Sequence, residues 1–308
     1  MALTIQSFMP SEAECAEALR DARWAGGIIC VYCGNRKVVK RGWRGFCQRY
    51  RCGDCERWFN DKTGTAMACS KLPLRTWFFT AFTLQSKVSV KELAETLQLP
   101  YATAFRMVRR LRENLYLKAS TLRLKGIVEI DEAYVKAGLK GKRNLRRKPR
   151  KRGLKRRGRG TYAVDKPPVL GVVERGGPVR LIPLTDVAAR TVLRRLFKCF
   201  QLEDVEAFIT DDYPSYNWLR SLGCHETVNH SMGEYARGWI HSNTVEAEFS
   251  VFRPWNATFR GTSKESLHLY TAHYNYVRGC RGVNRVDRAL GMLLPAPTPV
   301  GGVAGLQA

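Results

Sequence analysis

The sequence predicts an α/β domain, a mixed sheet flanked by helices, preceded by a small cysteine-rich ribbon and a group of short helices. Three observations carry that reading: two close cysteine pairs near the N-terminus, a helix, turn and basic helix after them, and an alternation of strands and helices in which two strands end in aspartate. The 308 residues suffice for two or three such units and a sizeable core. A formal net charge of +25 is too one-sided for a merely solvated face and calls for a polyanionic partner. Nucleic acid suits it better than an anionic membrane surface, because no basic amphipathic helix stands out. No apolar run reaches the roughly 18 residues that span a bilayer, and residues 1–17 carry acids in place of a basic and then apolar leader. A soluble, cytoplasmic chain with no membrane partner is expected.

In chain order, residues 11–24 read as one helix, with Ser11 as N-cap and Ala13, Ala16 and Leu19 along its stripe, ending at Gly26-Gly27. Next come Cys30 and Cys33, then Cys52 and Cys55 after eighteen intervening residues. Two thiolates two residues apart grip one ion from a tight knuckle, and two such knuckles complete a tetrahedral four-sulfur zinc site. Four protein ligands leave no open position, so this Zn²⁺ should be structural. Lys37 to Lys40 and Gln48 to Arg51 read as the two strands of the ribbon; their basic side chains either face DNA or keep the ribbon soluble. The other six cysteines read as small packing residues.

Leu74, Trp77, Phe78, Ala81, Phe82 and Leu84 mark an apolar helix, and a second runs from Val88-Ser89-Val90 to Leu97. After Gln98-Leu99-Pro100 a third helix covers residues 101–115, with Ala104, Val108, Leu111 and Leu115 inward and Arg106, Arg109, Arg110 and Arg112 mostly outward. That order is a helix-turn-helix arrangement, whose last helix fits a major groove. Residues 140–159 hold thirteen Lys or Arg and no acid, a block that cannot bury itself and is suited to gripping DNA.

The remaining elements are a strand at Ile127 to Ile130 that delivers Asp131, strands at residues 169–174 and 179–184, and a helix over 188–200. A strand at Ala207 to Thr210 follows, ending at Asp211, then a helix from about Asn243 and a last one over 265–277. Three strands, a helix, a strand and further αβ units form the order of an RNase H-like fold, in which the first and fourth strands are neighbours. Asp131 and Asp211 would then meet, and the helix near Asn243 would bring Glu246 to them. Three converging carboxylates repel one another, a cost that two Mg²⁺ or Mn²⁺ ions offset; oxygen-only ligands suit those hard ions. Each carboxylate has a plainer alternative. Asp131 caps a turn, Asp212 replaces Asp211, or Glu246 closes a capping box with Asn243 three residues earlier. His230 and His241 flank these positions, and His241 stands just before the Glu246 helix.

The residues Arg23-Trp24-Ala25-Gly26-Gly27, Cys52 to Cys55, Thr63-Gly64-Thr65, Glu129-Ile130-Asp131-Glu132-Ala133-Tyr134, Asn229-His230-Ser231 and His241-Ser242-Asn243-Thr244-Val245-Glu246 occur in one order. In that order the chain resembles the zinc-ribbon DDE transposases of bacterial insertion sequences, the ISXO-like group related to Merlin elements. The resemblance implies movement of a DNA element, with Asp131, Asp211 and Glu246 holding the catalytic metals. In some branches the third position is Asn, which makes Asn243 a candidate too. The family carries a Lys one or two turns after the Glu, and here Arg253 stands at the seventh position beyond it, able to contact phosphate as a fork. The implied partners are double-stranded DNA, as element ends and target, and further copies of the chain, a dimer or higher oligomer. A nucleoid-associated protein is implied. A DNA-binding regulator without catalysis and a nuclease that cuts without joining are the rival readings.

The expected organisation is a helix and zinc ribbon over residues 1–65 and a helix-turn-helix over 66–120. An RNase H-like domain with its basic insertion follows over 121–290, and a disordered tail over 291–308.

Overall fold

The computed structural model describes residues 9–138, 165–229, 232–234, 236–259 and 261–296. The basic block at 140–159, His230 and most of the expected tail lie outside these. The chain divides into two compact units, residues 1–118 with 282–308, and residues 119–281. Among the described residues no helix is long and apolar enough to cross a membrane.

The first unit opens with α1 (Glu12–Trp24), where Ser11 and Glu14 form a reciprocal capping box. Antiparallel strands β1 (Val38–Arg44), β2 (Cys47–Cys52) and β3 (Trp58–Asn60) form the ribbon. The third strand extends the expected hairpin, because Tyr50 and Phe59 stack at 5.1 Å across β2 and β3 and close a small core with Trp24. Asp61, fully buried, fastens α1 to the ribbon: it accepts from Tyr50 Oη at 2.7 Å, the Gln48 amide at 2.7 Å, Trp24 Nε1 at 3.2 Å and Arg20 Nε at 3.3 Å. Arg23 donates to the carbonyls of Asp61 and Thr63. Arg23-Trp24 and Thr63-Gly64-Thr65 are thus largely a folding device.

Helices α2 (Leu74–Leu84), α3 (Val90–Thr96, capped by Ser89) and α4 (Tyr101–Ala119) follow. One expectation on α4 is overturned. Arg112 points inward and is 4% exposed, because it shares the face of Val108, Leu111 and Leu115. Arg110 is half-buried and donates to the Ala68 carbonyl at 2.7 Å. Tyr101, Phe105, Arg106 and Arg109 form the outer face. Of the six cysteines outside the two close pairs, Cys15, Cys47 and Cys199 are buried, whereas Cys69 and Cys224 are exposed.

In the second unit β4 (Leu124–Tyr134), β5 (Pro168–Glu174) and β6 (Val179–Pro183) form a meander, followed by α5 (Ala189–Leu196) and β7 (Phe200–Asp211). The helix is shorter than the expected 188–200, and Phe200 already belongs to β7, where it packs on Phe208 at 5.0 Å. A 3₁₀ segment (Pro214–Ser221), β8 (His225–Val228) and the small hairpin β9 (Ala236–Arg237) and β10 (Ile240–His241) lead to α6 (Asn243–Ala257) and α7 (Leu267–Gly279). The sheet order is β6-β5-β4-β7-β8, with β5 antiparallel to its neighbours and β7 and β8 parallel to β4. This is the RNase H-like arrangement, mixed and covered on both faces. Val128, Ile130, Leu170 and Val172 pack toward α5 and the 3₁₀ segment. Val169, Val173 and Leu181 pack toward α6 and α7 through Val245, Phe249, Phe252 and Tyr274.

A last helix, α8 (Arg285–Leu293), falls in the first unit, so residues 282–290 do not belong to the second unit as expected, and residues 291–293 are helical in place of the expected disordered tail. Asn284 caps it, and Ala289, Met292 and Leu293 are buried. Asn114 on α4 donates to the carbonyls of Met292 at 2.9 Å and Leu294 at 2.7 Å.

Candidate active site and metal centre

Strand alternation sets the site. Along β4, Val128 and Ile130 face α5, so Glu129, Asp131 and Ala133 face α6. The parallel register of β4 and β7 runs to Ile130 opposite Thr210, so Asp131 and Asp211 follow on neighbouring strands; Asp211 ends β7, whereas β4 continues past the expected strand end at Ile130 to Tyr134, leaving Asp131 within the strand. On its other edge Asp131 stands opposite Gly171 of β5. A Cβ at Gly171 would lie 2.6 Å from Val245 Cγ2 and 2.7 Å from Phe249 Cζ. The glycine therefore lets α6 settle on the sheet beside Asp131. Glu246 occupies the fourth position of that helix, and its Oε1 accepts from Ser242 Oγ at 3.0 Å.

Electrostatic interaction couples Asp131 to the other two carboxylates. Burial pushes the Asp131 carboxyl up to about 7, and the charges of Glu132, Asp211 and Glu246 add to that, against the Glu132 amide that donates to it at 2.7 Å. Glu132 faces the opposite side, where Tyr216 Oη donates to it at 2.6 Å. Burial and that carboxylate hold the Tyr216 hydroxyl well above its usual range. Asp131, Asp211 and Glu246 offer oxygen donors only, and Asp131 is held partly protonated near neutrality by burial and by the neighbouring acids, a donor chemistry that suits a hard divalent cation.

Asp212 is exposed and accepts from Asn229 Nδ2 at 3.2 Å, whereas Asp211 ends the strand in register with Asp131. Asn243 does not cap α6. It is the first helical residue and exposed, so the expected capping box with Glu246 does not form. Glu129 takes that place: it is fully buried and receives the Thr244 and Val245 amides at 2.8 and 3.1 Å. Sequence reasoning missed it, although an acid on the same strand face as Asp131, where Val or Ile would pack, was a signal. His241 Nδ1 lies 3.5 Å from Glu129 Oε1 and 3.4 Å from Arg175 Nη2, at the foot of α6. Arg253 is exposed two turns beyond Glu246, its guanidinium 6.0 Å from the Phe249 ring. The helix runs on through Pro254 to Ala257. Glu248 is buried and held by Tyr274 Oη at 2.8 Å, Arg278 Nε at 2.8 Å and Arg281 Nη2 at 3.1 Å, which makes it a packing anchor.

A four-cysteine cluster lies in the ribbon. One sulfur from each of Cys30, Cys33, Cys52 and Cys55 lies within 4.8 Å of the others. Cys30 and Cys55 are 3.6 Å apart, as are Cys33 and Cys52. A tetrahedral ion with Zn–S bonds of about 2.3 Å gives sulfur edges of about 3.8 Å, so the four thiols fit zinc. The Cys55 and Asp54 amides hold the Cys52 thiol down to about 7, while burial pushes Cys30 up to about 12.

Residues 123–278 match the family described as ISXO2-like transposase domain, and residues 10–57 match the transposase zinc-ribbon domain. A protein of Halobacterium salinarum described as an uncharacterized protein in transposable element ISH50 is 39% identical over 271 residues, covering 87% of this chain and 90% of that one. Among solved structures, the Mos1 transposase paired-end complex with left transposon end is 14% identical at a TM-score of 0.29, over 71% of this chain and 74% of that one. A pre-cleavage Mos1 transpososome is 13% identical at 0.21, over 66% and 73%. Overlap that slight transfers nothing to this chain.

Proposed function

The chain belongs to the transposase family defined by the ISXO2-like transposase domain, and from that membership we propose that it binds the terminal inverted repeats of an insertion sequence and catalyses metal-dependent DNA cleavage and strand transfer. The observation that carries the reading is that Asp131 and Asp211 stand on neighbouring parallel strands, and that the charges of Glu132, Asp211 and Glu246 add to burial in raising the Asp131 carboxyl to about 7.

Asp131, Asp211 and Glu246 would hold two Mg²⁺ or Mn²⁺ ions, which when bound supply activation of a water or a 3′-hydroxyl and stabilise the leaving oxygen. Asp131 must give up its proton to act as a ligand, and cation binding supplies the compensation that the protein leaves out. Glu246 sits in the first turn of α6, where the amide dipoles favour an anion. Arg253, two turns on and open to solvent, is suited to a backbone phosphate near the reacting strand. Hydrolysis at the element end frees a 3′-hydroxyl, which then attacks a target phosphodiester in line, so one phosphodiester bond replaces another.

Two surfaces of the first unit support end recognition. On the ribbon, Trp43 and Trp58 are exposed, and Arg49 lies over Trp58 at 4.7 Å, an arrangement that combines phosphate charge with stacking surface. On α4 the outer face of Tyr101, Phe105, Arg106 and Arg109 suits the second helix of a helix-turn-helix entering a major groove. The ribbon's structural zinc fixes the first of these. Pairing of two ends calls for a dimer or higher oligomer on DNA.

The test is cleavage of native flanking DNA by the full chain in Mg²⁺, with the product ends mapped. A 3′-hydroxyl at the element terminus from the wild type, and none from Asp211→Asn, is the expected result. End binding without cleavage in Mg²⁺ or Mn²⁺ would favour a regulator, and cleavage with no later joining a nuclease.

A further inference from the structure

We propose that Glu129, clamped by Arg175, is the positioning residue of the reaction centre: a carboxylate on the Asp131 strand that serves as the N-terminal cap of the helix carrying Glu246. The proposal rests on the reading of Asp131, Asp211 and Glu246 as one centre. Glu129 stands two residues before Asp131 and on the same face of β4. Its Oε2 accepts the Thr244 and Val245 amides at 2.8 and 3.1 Å. Its Oε1 accepts Thr244 Oγ1 at 2.8 Å, Arg175 Nε at 2.9 Å and Arg175 Nη2 at 2.8 Å. A buried carboxylate is costly unless compensated, and this one has both a guanidinium and the positive end of a helix.

The usual source of such a cap is the residue just before the helix. Ser242 holds that place but makes no cap bond, and its hydroxyl turns to Glu246. With the cap moved onto β4, the first turn of α6 is located by the strand that bears Asp131. Arg175 extends the clamp, since Nη1 donates to the Trp239 carbonyl at 2.8 Å and Nη2 to the His241 carbonyl at 3.1 Å, holding the β9–β10 hairpin that leads into α6. His241 packs against the same pair, which gives it a place in the clamp. Glu129 itself touches none of the reacting atoms; it acts through where it puts Glu246.

The experiment uses the full chain as wild type, Glu129→Gln, Glu129→Asp, Thr244→Val and Asp131→Asn. Amide hydrogen exchange is read over residues 240–250, and single-turnover cleavage of element-end DNA is read at saturating DNA, with affinity measured separately. In Glu129→Gln one carboxylate oxygen becomes an NH₂ group facing donors. Exchange of the Thr244 and Val245 amides should then quicken more than tenfold while α7 stays protected. The saturated cleavage rate should fall about 100-fold at unchanged DNA affinity, the scale of a misplacement of about 1 Å. Glu129→Asp should recover part of both, Thr244→Val should cost less than about threefold in rate, and Asp131→Asn should abolish cleavage without loosening the amides. A full cleavage rate in Glu129→Gln with fast amides would reduce the cap to a stabilising contact and overturn the proposal, as would unchanged exchange. If Glu129→Gln does not fold, a fall of rate and protection together in Glu129→Asp upholds the clamp, and wild-type values in it overturn it. A wild type that leaves the DNA uncut counts against the transposase reading, while the exchange result still decides whether the cap exists.

Discussion

Asp131 is where the cost of the site is concentrated. Its carboxyl is held at about 7, against an ordinary value near 3.8, so the folded chain binds a proton there that the unfolded chain has released. The stability held by the protonated form is complete below about pH 4 and is lost as pH rises to about 7. Asp131→Asn, which cannot ionise, should therefore raise the unfolding free energy at pH 8 without added divalent cation by an amount on the order of 1–3 kcal/mol, and change little at pH 4. Equal effects at both pH values would show that the buried charge is not the cause. Gly171 is the steric counterpart. Gly171→Ala drives a methyl into Val245 and Phe249 and should cost about 1–3 kcal/mol in a denaturant titration. The two aspartates were legible because each follows an apolar run, although β4 continues beyond Asp131 to Tyr134. Glu129 was not, because a helix cap supplied from 115 positions away has no local pattern, and the sequence offers Ser242 and Asn243 as nearer candidates.

At the scale of elements, the cysteine spacing gave the ribbon, and the periodicity gave α1, α2, α3 and α4 to within a few residues. The third ribbon strand and α8 escaped, since Trp58-Phe59-Asn60 is too short for alternation to show, and α8 straddles the expected boundary at 290, its first six residues reading as the end of the RNase H-like domain and its last three as tail. Their consequences are measurable. Removal of zinc by a chelator should unfold the ribbon and release Trp24 from its edge contacts with Tyr50 and Phe59, read as a shift in tryptophan fluorescence, while far-UV signal from the second unit persists. Cys52→Ser should behave as the zinc-free chain does; a ribbon that keeps its fluorescence without metal would contradict this. Leu293→Ala empties a fully buried position and should cost about 2–4 kcal/mol of the first unit's stability. A fragment ending near residue 118 lacks α8 altogether and should melt lower than one in which residues 282–296 are supplied.

For the whole molecule, charge and centre divide the labour. If the proposed DNA partner is held through its phosphates by a chain with a net charge of +25, the logarithm of affinity should fall linearly with the logarithm of salt. Arg49→Ala on the ribbon and Arg106→Ala on α4 should each reduce that slope by about 1 if these surfaces meet the backbone. A slope unchanged in both would place the DNA elsewhere. The three carboxylates, in contrast, should matter little for binding and entirely for chemistry. The measurement that tests this most directly is strand transfer from pre-cleaved element ends into a supercoiled plasmid in Mg²⁺, comparing the wild type with Asp131→Asn, Asp211→Asn and Glu246→Gln at DNA concentrations that saturate all four. Joined product from the wild type, and a loss of at least about 1,000-fold in each variant with end binding intact, is the predicted result. Wild-type joining by any one of the three would remove that residue from the centre, and no joining by the wild type would contradict the assignment as a whole.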